Sequence, residues 1–289
     1  MISIKKITPC IGAEIEGINF SEFLNRKTLD KLYEALLDNL VIFMRDTKIT
    51  PKMHLDFAKS FGELDSPHAI YPNVEGFRNI VKLENHEDNP PDTNAWHTDL
   101  TFKQEQPFAS ILVARSVPTC GGDTLWSSCY AAYDRLPTGL KKDLENTQCI
   151  HDMGDFRNTF AFPIAGKSAV ERLNEGIGRV GHNIRNLIET HPVTGRKYLN
   201  FNESFSSHIV GLTMNNSNSL KTYLANHMNK PEDQVRWRWE SGDLAMWDNR
   251  VTMHYAVNDY MPEYRCMNRI TIVRDKRSGN FSYAKVQKK

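Results

Sequence analysis

Hydrophobic side chains recur at helical spacing in two stretches near the start of the chain. Behind Thr28, the expected N-cap of the first helix, apolar residues fall at i, i+3, i+4, i+7 and i+8, namely Leu29, Leu32, Tyr33, Leu36 and Leu37. Thr50-Pro51 opens a second predicted helix, which stops at Gly62 and turns inward the side chains of Leu55, Ala58 and Phe61. Between the two helices, the apolar run Val41-Ile42-Phe43-Met44 is typical of a buried strand. These elements are predicted to be scaffold.

Later in the chain the hydrophobic period changes to that of strands. Residues 109–117 and 123–128 are strand-like, with Gly121-Gly122 as the turn between them. Strand patterns resume over residues 198–202, 235–239, 242–247 and 269–273. Among them, residues 219–228 are predicted to form a helix. The side chains that this helix presents are those of Leu220, Tyr223, Leu224 and His227. The second half of the chain is therefore predicted to be mainly β.

The region from about residue 153 to residue 195 is polar and weakly periodic. A stretch of that length between strands is usually a lid or a disordered linker, and Phe156, Phe160 and Phe162 favour a lid. Strands before and after a lid fit a double-sheet jelly roll whose mouth carries the ligands. The predicted fold class is α+β or mainly β, a jelly-roll core decorated with helices and an inserted lid.

The composition and charge of the chain limit the number of domains, the class of partner and the cellular location that we expect. The chain has 289 residues, 40% of them hydrophobic, which is enough for one substantial core, so we predict a single domain over residues 1–289. The formal net charge is +1 and no long basic or acidic block occurs, so we expect a small-molecule partner and no nucleic acid. Five scattered cysteines without a CxxC pair, and no apolar leader, predict a cytoplasmic protein. We expect no membrane partner, since no apolar run approaches the roughly 20 residues of a membrane span.

Candidate metal chemistry is concentrated in Trp96-His97-Thr98-Asp99-Leu100, with His254 much later in the chain. In an extended segment His97 and Asp99 project from one face, and a distant second imidazole can complete a three-point face. Two His and one carboxylate that leave open positions are the pattern of a non-haem Fe(II) centre that activates O2. A His-x-Asp pair also occurs by chance in many proteins, so it needs further support.

Two arginines supply such support. Arg265 and Arg269 follow His254, and Arg269 begins the strand-like run Arg269-Ile270-Thr271-Ile272-Val273. A guanidinium near iron is suited to bind a dicarboxylic co-substrate, because its planar fork pairs with a carboxylate through two hydrogen bonds. The other end of that co-substrate can then chelate the metal.

Several motifs together make the chain resemble the taurine dioxygenase family of Fe(II)/2-oxoglutarate-dependent dioxygenases. The resemblance extends from Ile11-Gly12-Ala13-Glu14-Ile15, through Asp88-Asn89-Pro90-Pro91-Asp92 and Gly121-Gly122-Asp123-Thr124-Leu125-Trp126, to the segment from Val235 to Arg269. It implies a double-stranded β-helix core, with Fe(II) as cofactor and 2-oxoglutarate and O2 as co-substrates. It also implies oxidative decarboxylation of 2-oxoglutarate to succinate and CO2, coupled to hydroxylation of a substrate C–H bond. Because members of the family form dimers and tetramers, a homo-oligomer is expected.

The resemblance assigns roles residue by residue. His97, Asp99 and His254 match the iron ligands, and Arg265 matches the residue that binds the distal carboxylate of 2-oxoglutarate, with Thr124 bound to the same group. The positions that match the substrate pocket are Arg269 and His68, which hold the sulfonate, and Tyr71, Thr159 and Phe160. Trp247 matches an aromatic residue near the iron, with core packing as an equal alternative. In this family, hydroxylation of taurine next to its sulfonate releases sulfite and aminoacetaldehyde.

One departure from the family pattern concerns the substrate. An ungapped count puts Thr93 where the taurine-cleaving enzymes have an Asn that contacts the substrate amine, and Ala95 replaces another polar residue. A threonine offers one hydroxyl in place of an amide, which weakens the preference for an amine. Taurine is the leading predicted substrate. Another small acid, such as an alkyl sulfate, an aryloxy acid or a biosynthetic intermediate, is the first alternative, and a non-enzymatic metal-binding jelly-roll module is the second.

Overall fold

The computed structural model describes residues 2–67, 71–91, 95–154, 171 and 181–278. Two helices near the start match the periodicity of the sequence: α1 spans Arg26–Asn39 and α2 spans Pro51–Phe61. Thr50 caps α2 by accepting a hydrogen bond from the Met53 backbone amide, as predicted. The predicted cap of α1 is wrong, because Asn25 caps this helix and accepts from the Thr28 backbone amide at 3.0 Å. The pattern of apolar positions starts only at Leu29, so the first polar turn was not recognised.

The largest sheet has nine strands. Along its main path the order is β1 (Ser3–Lys6), β2 (Ala13–Glu16), β3 (Val41–Met44), β15 (Leu244–Asp248), β7 (Ala109–Ser116), β17 (Arg265–Asp275), β6 (Phe77–Asn85) and β5 (Asn73–Val74), while β4 (Gly62–Leu64) pairs with β17. All neighbouring pairs are antiparallel except β2 with β3. Strands from both ends of the chain therefore meet at the centre of one sheet.

Three smaller sheets complete the described strands. The sheet that matters for the site has the order β14 (Gln234–Trp237), β8 (Thr124–Ser128) and β16 (Thr252–Ala256). A second has the order β10 (Asn183–Asn186), β9 (Gln148–His151) and β13 (Ser206–Ile209), and a hairpin joins β11 (Ile188–Thr190) to β12 (Lys197–Leu199). The remaining helices are α3 (Cys129–Arg135), α4 (Thr138–Leu144) and α5 (Met214–Met228), with a 3-10 turn at Pro231–Asp233. Helix α5 begins five residues before the predicted start, because Thr213 caps it.

Two hydrophobic clusters lie on opposite faces of the large sheet. On one face α1 and α2 pack Leu36 and Phe61 against strand residues such as Ile111 and Ile270. On the other face the large sheet packs against the β14-β8-β16 sheet. There the Phe43 ring stacks on Trp237 with centroids 4.2 Å apart. The sheet-dominated class with attached helices is therefore confirmed.

The region expected to be lid-like is only partly described. Residues 155–170 and 172–180, which include Phe156, Phe160 and Phe162, lie outside the described residues. From residue 183 onward the chain forms β10 and β11, and β10 pairs with β9 in regular antiparallel register. Within the described residues, no helix combines the length and apolar character that a membrane crossing requires.

Candidate metal centre

A single backbone bridge brings the two candidate histidines together. The His97 amide donates to the His254 carbonyl at 3.0 Å, and the His254 amide donates back to the His97 carbonyl at 2.7 Å. His254 lies in β16, whereas His97 forms only this isolated bridge, so the predicted strand through His97 and Asp99 is wrong. After the bridge the backbone turns, and Leu100 adopts a left-handed φ of 55°. The two ligands two residues apart thus meet through a turn.

The three predicted ligands form one cluster. The nitrogens of His97 and His254 and the carboxylate oxygen of Asp99 that could bind an ion lie within 4.8 Å of one another. Asp99 Oδ1 is 3.8 Å from His97 Nε2 and 3.9 Å from His254 Nε2. Among the described residues this is the one group of three or more His, Cys, Asp or Glu side chains arranged to hold a metal. Its two imidazoles and one carboxylate fit a facial Fe(II) site and differ from the closed sulfur-rich sets of structural zinc.

Each imidazole presents Nε2 to this cluster. His97 Nδ1 lies 2.9 Å from the Ala95 carbonyl, to which it donates in the tautomer that leaves Nε2 unprotonated. Burial and then the neighbouring His97 ring lower the pKa of His254 to about 3, despite the Asp99 carboxylate. His254 is therefore neutral at physiological pH. Its Nε2 can therefore donate an electron pair to a metal without first losing a proton.

The Asp99 carboxylate is buried among donors. Arg269 Nη1 donates to its Oδ1 at 3.1 Å, and Ser110 Oγ donates to its Oδ2 at 3.3 Å. Burial alone would raise the pKa of this carboxyl, but Arg269, followed by His254 and His97, outweighs burial and holds the pKa well below its usual range. Asp99 is therefore an anion throughout the neutral range, as a metal ligand must be.

Arg269 reaches the metal cluster itself. Its side chain is buried, and its Nε has no hydrogen-bond partner within the described part of the chain. Because Nη1 is used by Asp99, the guanidinium links the candidate metal ligand to whatever accepts from its remaining N–H groups. A buried donor without an acceptor points to a ligand that is bound during the reaction.

Arg265 has a different environment. It is buried at the start of β17, its Nε donates to the Gly122 carbonyl at 3.2 Å, and its guanidinium carbon lies 5.8 Å from the centroid of the Tyr260 ring. Gly122 has a φ of 69°, and a Cβ there would lie 3.3 Å from Arg265 Nε, so the glycine allows the close approach.

Thr124 is buried in β8, and its Oγ1 accepts a hydrogen bond from Trp239 Nε1 at 2.9 Å. Because the indole occupies an acceptor position of the hydroxyl, the Thr124 O–H proton can still be donated to a carboxylate. Trp239 thus holds Thr124 in place. The sequence does not indicate this contact, because Trp239, two residues after β14, is 115 positions away from Thr124.

The other predicted site residues divide into two groups. Trp247 is buried and its ring centroid lies 5.0 Å from that of His254, so it packs directly behind a candidate ligand. Tyr71 is partly buried at the start of a described segment. The remaining predictions, His68, Thr93, Thr159 and Phe160, lie outside the described residues.

Asn249 and Ser110 contact Asp99 and were not predicted as site residues. Asn249 exchanges hydrogen bonds with the Asp99 backbone, and Ser110 donates to the Asp99 carboxylate. Asn249 stands in the polar run Asp248-Asn249-Arg250 directly after the apolar residues of β15, which is a signal in the sequence that could have indicated it. Nothing local distinguishes Ser110 within its strand.

Comparison with known proteins identifies the family. The sequence matches the family described as taurine catabolism dioxygenase TauD, TfdA family, over residues 3–271. The chain belongs to this family. Its relatives include an alpha-ketoglutarate-dependent sulfate ester dioxygenase of Pseudomonas putida, 33% identical over 94% of this chain and 89% of that protein. Another is an alkylsulfatase of Acinetobacter baylyi, 34% identical over 96% of this chain and 87% of that protein.

Solved structures agree with this placement. A taurine dioxygenase from Burkholderia xenovorans superposes with a TM-score of 0.80 at 30% identity, covering 95% of this chain and 90% of that chain. The protein is therefore a 2-oxoglutarate-dependent dioxygenase, whose family uses Fe(II), 2-oxoglutarate and O2. The expectation of an enzyme is confirmed, and the alternative of a non-enzymatic binding module is not supported.

Proposed function

We propose that this dioxygenase hydroxylates the carbon next to a tetrahedral sulfur oxyanion, with an alkyl sulfate ester as its first candidate substrate. The observation that carries the proposal is the buried Arg269 guanidinium, which contacts Asp99 and whose Nε has no partner among the described residues. A guanidinium beside the metal cluster suits an anionic oxygen array that must be held close to the reacting carbon. The relatives named for sulfate esters and alkyl sulfates support the choice of the oxyanion.

His97, Asp99 and His254 are proposed to hold Fe(II). The bound iron supplies O2 activation, with 2-oxoglutarate as the two-electron donor. The Ala95 carbonyl orients His97 with Nε2 toward the cluster, burial keeps the His254 imidazole neutral, and the Arg269 guanidinium keeps the Asp99 carboxylate charged. Asp99 and His254 are thus prepared to bind a divalent cation without releasing a proton.

Arg265 and Thr124 are proposed to bind the distal carboxylate of 2-oxoglutarate. Arg265 is buried, and none of the ion pairs among the described residues involves it, so its charge is available to a bound carboxylate. The Thr124 hydroxyl, with Trp239 as its donor, can contribute a second hydrogen bond. A carboxylate in such a position would be bound by a charge-assisted pair.

The substrate pocket is proposed to include Arg269 and Tyr71, together with His68, Thr93, Thr159 and Phe160. Their assignment rests on the family resemblance of the sequence, with Arg269 supported in addition by its position beside Asp99. Thr93 lacks the carbonyl acceptor that an ammonium group would need, which favours a substrate whose recognition depends on the anion alone.

The products follow from the bond that is oxidised. One oxygen atom of O2 enters the C–H bond next to the sulfate oxygen, and the other enters succinate as 2-oxoglutarate loses CO2. The hydroxylated carbon then carries both a hydroxyl and a sulfate ester, and loss of its hydroxyl proton expels sulfate to give an aldehyde. With a sulfonate, the same step breaks the C–S bond and releases sulfite.

Taurine is the second candidate substrate, supported by the structural similarity to a taurine dioxygenase. An aryloxy acid is a further outcome, since a 2,4-dichlorophenoxyacetate dioxygenase of Cupriavidus pinatubonensis is 28% identical over 92% of this chain and 96% of that protein. A biosynthetic intermediate is the last alternative substrate within the same chemistry.

The proposal also covers the core fold, the number of domains and the oligomeric state. The face-to-face packing of the large sheet on the β14-β8-β16 sheet supports a double-stranded β-helix core. A lid-like insertion over about residues 153–195 stays a prediction from the sequence. The family match over residues 3–271 supports a single domain. A homo-oligomeric state and a cytoplasmic location remain predictions from the sequence.

The test compares an n-alkyl sulfate with the n-alkanesulfonate of equal chain length, taurine and an aryloxyacetate. Each is incubated with the iron-loaded enzyme and 2-oxoglutarate, and succinate, sulfate and sulfite are measured together. We expect one sulfate per succinate from the alkyl sulfate, at the highest kcat/KM of the panel, and no product with Asp99→Ala. Preferred sulfite release from taurine would establish the second candidate. Succinate formation from the aryloxyacetate alone would reject a sulfur oxyanion as the recognised group.

A further inference from the structure

The backbone around Asp99 lacks the strand pairing that holds His254. His97 pairs with His254 through one isolated bridge, and from Asp99 onward the chain turns, with Leu100 in a left-handed conformation. The Asp99 amide and carbonyl are buried, so they need partners that a neighbouring strand does not provide. Without such partners, Asp99 would be held only by the hydrogen bonds that its carboxylate accepts from Arg269 and Ser110.

The side chain of Asn249 provides these partners. Its Oδ1 accepts from the Asp99 amide at 3.0 Å, and its Nδ2 donates to the Asp99 carbonyl at 3.0 Å, across 150 positions of the chain. Its Nδ2 also lies 3.3 Å from the Pro107 carbonyl. Asn249 is completely buried, and its amide group thus takes the place of a peptide unit in a missing strand.

Asn249 is itself fixed in the turn that joins β15 to β16. Its backbone amide donates to the Phe108 carbonyl at 2.9 Å. The preceding residue, Asp248, accepts hydrogen bonds from Arg250 at 2.9 Å and 2.6 Å through its two carboxylate oxygens. Because β16 carries His254, the turn that holds Asp99 also begins the strand of the second imidazole.

We infer that Asn249 is a positioning residue of the metal centre, which holds the Asp99 carboxylate within reach of both imidazoles before any metal binds. A second contact acts alongside it, because Thr98 Oγ1 donates to the Thr252 carbonyl at 2.9 Å. The side-chain amide of Asn249 binds the backbone of Asp99 directly, whereas Thr98, the residue before Asp99, binds the Thr252 carbonyl. The inference rests on His97, Asp99 and His254 as the metal ligands, which Mn(II) titration of His97→Ala tests separately.

The experiment measures Mn(II) affinity of the full chain without substrate or co-substrate, alongside urea unfolding of the metal-free protein. Asn249→Ala is expected to lower the affinity by roughly 10–100-fold, as is usual when the support of a metal ligand is removed. The control is Asn39→Ala, because Asn39 is also buried and donates from Nδ2 to a backbone carbonyl, that of Ala35, but in helix α1. This control should lose stability while its Mn(II) affinity stays within about threefold of wild type.

A folded Asn249→Ala protein with wild-type Mn(II) affinity would overturn the inference, as would equal losses of affinity in both variants. If Asn249→Ala fails to fold, hydrogen exchange of the wild-type protein tests the inference instead. In the metal-free protein, hydrogen exchange at the Asp99 amide should be slowed by at least about 100-fold relative to an unstructured chain, because Asn249 Oδ1 accepts from it. Exchange at the unprotected rate would show that Asn249 does not hold Asp99 before metal binding. If His97→Ala instead bound Mn(II) normally, the ligand assignment itself would fail.

Discussion

Two arginines on one strand have different partners at the candidate site. Arg265 and Arg269 are four residues apart in β17, so both side chains project from the same face, roughly 13 Å apart along the strand. Arg265 contacts the Gly122 carbonyl, whereas Arg269 contacts the Asp99 carboxylate. The same residue type is therefore placed to bind two different anions.

Replacing each arginine in turn should show which arginine binds 2-oxoglutarate and which binds the sulfur oxyanion of the substrate. Arg265→Ala should raise the KM for 2-oxoglutarate by about 10–100-fold, since a hydrogen bond to a charged group contributes roughly 1.5–3 kcal/mol. Arg269→Ala should raise the KM for the sulfur oxyanion substrate by a similar factor, because the variant lacks the guanidinium proposed to bind the oxyanion. Steady-state kinetics with each substrate varied in turn gives both constants. If the constants move in the opposite pairs, the two arginines exchange roles.

Helix α2 contains a polar group that its packing does not satisfy. His54 is completely buried, and neither ring nitrogen makes a hydrogen bond within the described residues, although the Ile111 backbone lies nearby. Burial, followed by the nearby Arg115 cation, lowers the pKa of His54 to about 3. The element therefore carries a neutral imidazole in an apolar interface, where an apolar side chain would fit without this penalty.

Between pH 6.5 and about 3 the unfolded chain binds a proton at His54 that the folded chain does not bind. The protonation equilibrium of His54 therefore costs no stability above pH 6.5, and its contribution lowers the stability by about 1.4 kcal/mol per unit as the pH decreases through this window. His54→Leu should remove that slope and raise the free energy of unfolding at neutral pH by roughly 1–3 kcal/mol. Urea unfolding at several pH values checks both effects, with the exposed His182→Leu as the control. An unchanged slope in His54→Leu would show that His54 is protonated in the folded protein.

At the scale of the whole molecule, the metal centre joins chain segments that are far apart in sequence. Thr98 and Thr252 are 154 positions apart, and Arg269 is 170 positions from Asp99, yet all surround one cluster. The large sheet makes this possible, because β17 and β15 lie on either side of β7 at its centre. A bound ion should therefore stabilise the folded state as a whole.

Mn(II), which resists oxidation by air, should raise the Tm of the wild-type protein. Since a metal that binds only the folded state stabilises by RT ln(1 + [M]/Kd), the gain is roughly 2.7 kcal/mol when free metal is about 100 times Kd. Asp99→Ala and His254→Ala should show little or no rise at the same concentration. Scanning calorimetry with and without Mn(II) measures the difference. An equal rise in these variants would place the metal elsewhere.

The amino-acid sequence by itself determined the types of most elements and the candidate metal ligands. The apolar spacing in α1 and α2, the period of β17 and the residue types of His97, Asp99 and His254 were all recognisable, because each depends on a few neighbouring positions. Even so, two predicted helix starts were wrong, since Asn25 and not Thr28 caps α1, and Thr213 caps α5 five residues before its predicted start.

Only the tertiary structure decided how the ligands are held. His97 and Asp99 were expected on a strand, but they meet through one bridge and a turn, and the Asp99 backbone is paired by the Asn249 side chain. The same holds for the contact between Arg269 and Asp99 and for the support of Thr124 by Trp239. The physical reason is that a buried polar group must find a partner wherever packing brings one. These partners lie more than a hundred positions away along the chain, where no local periodicity records them.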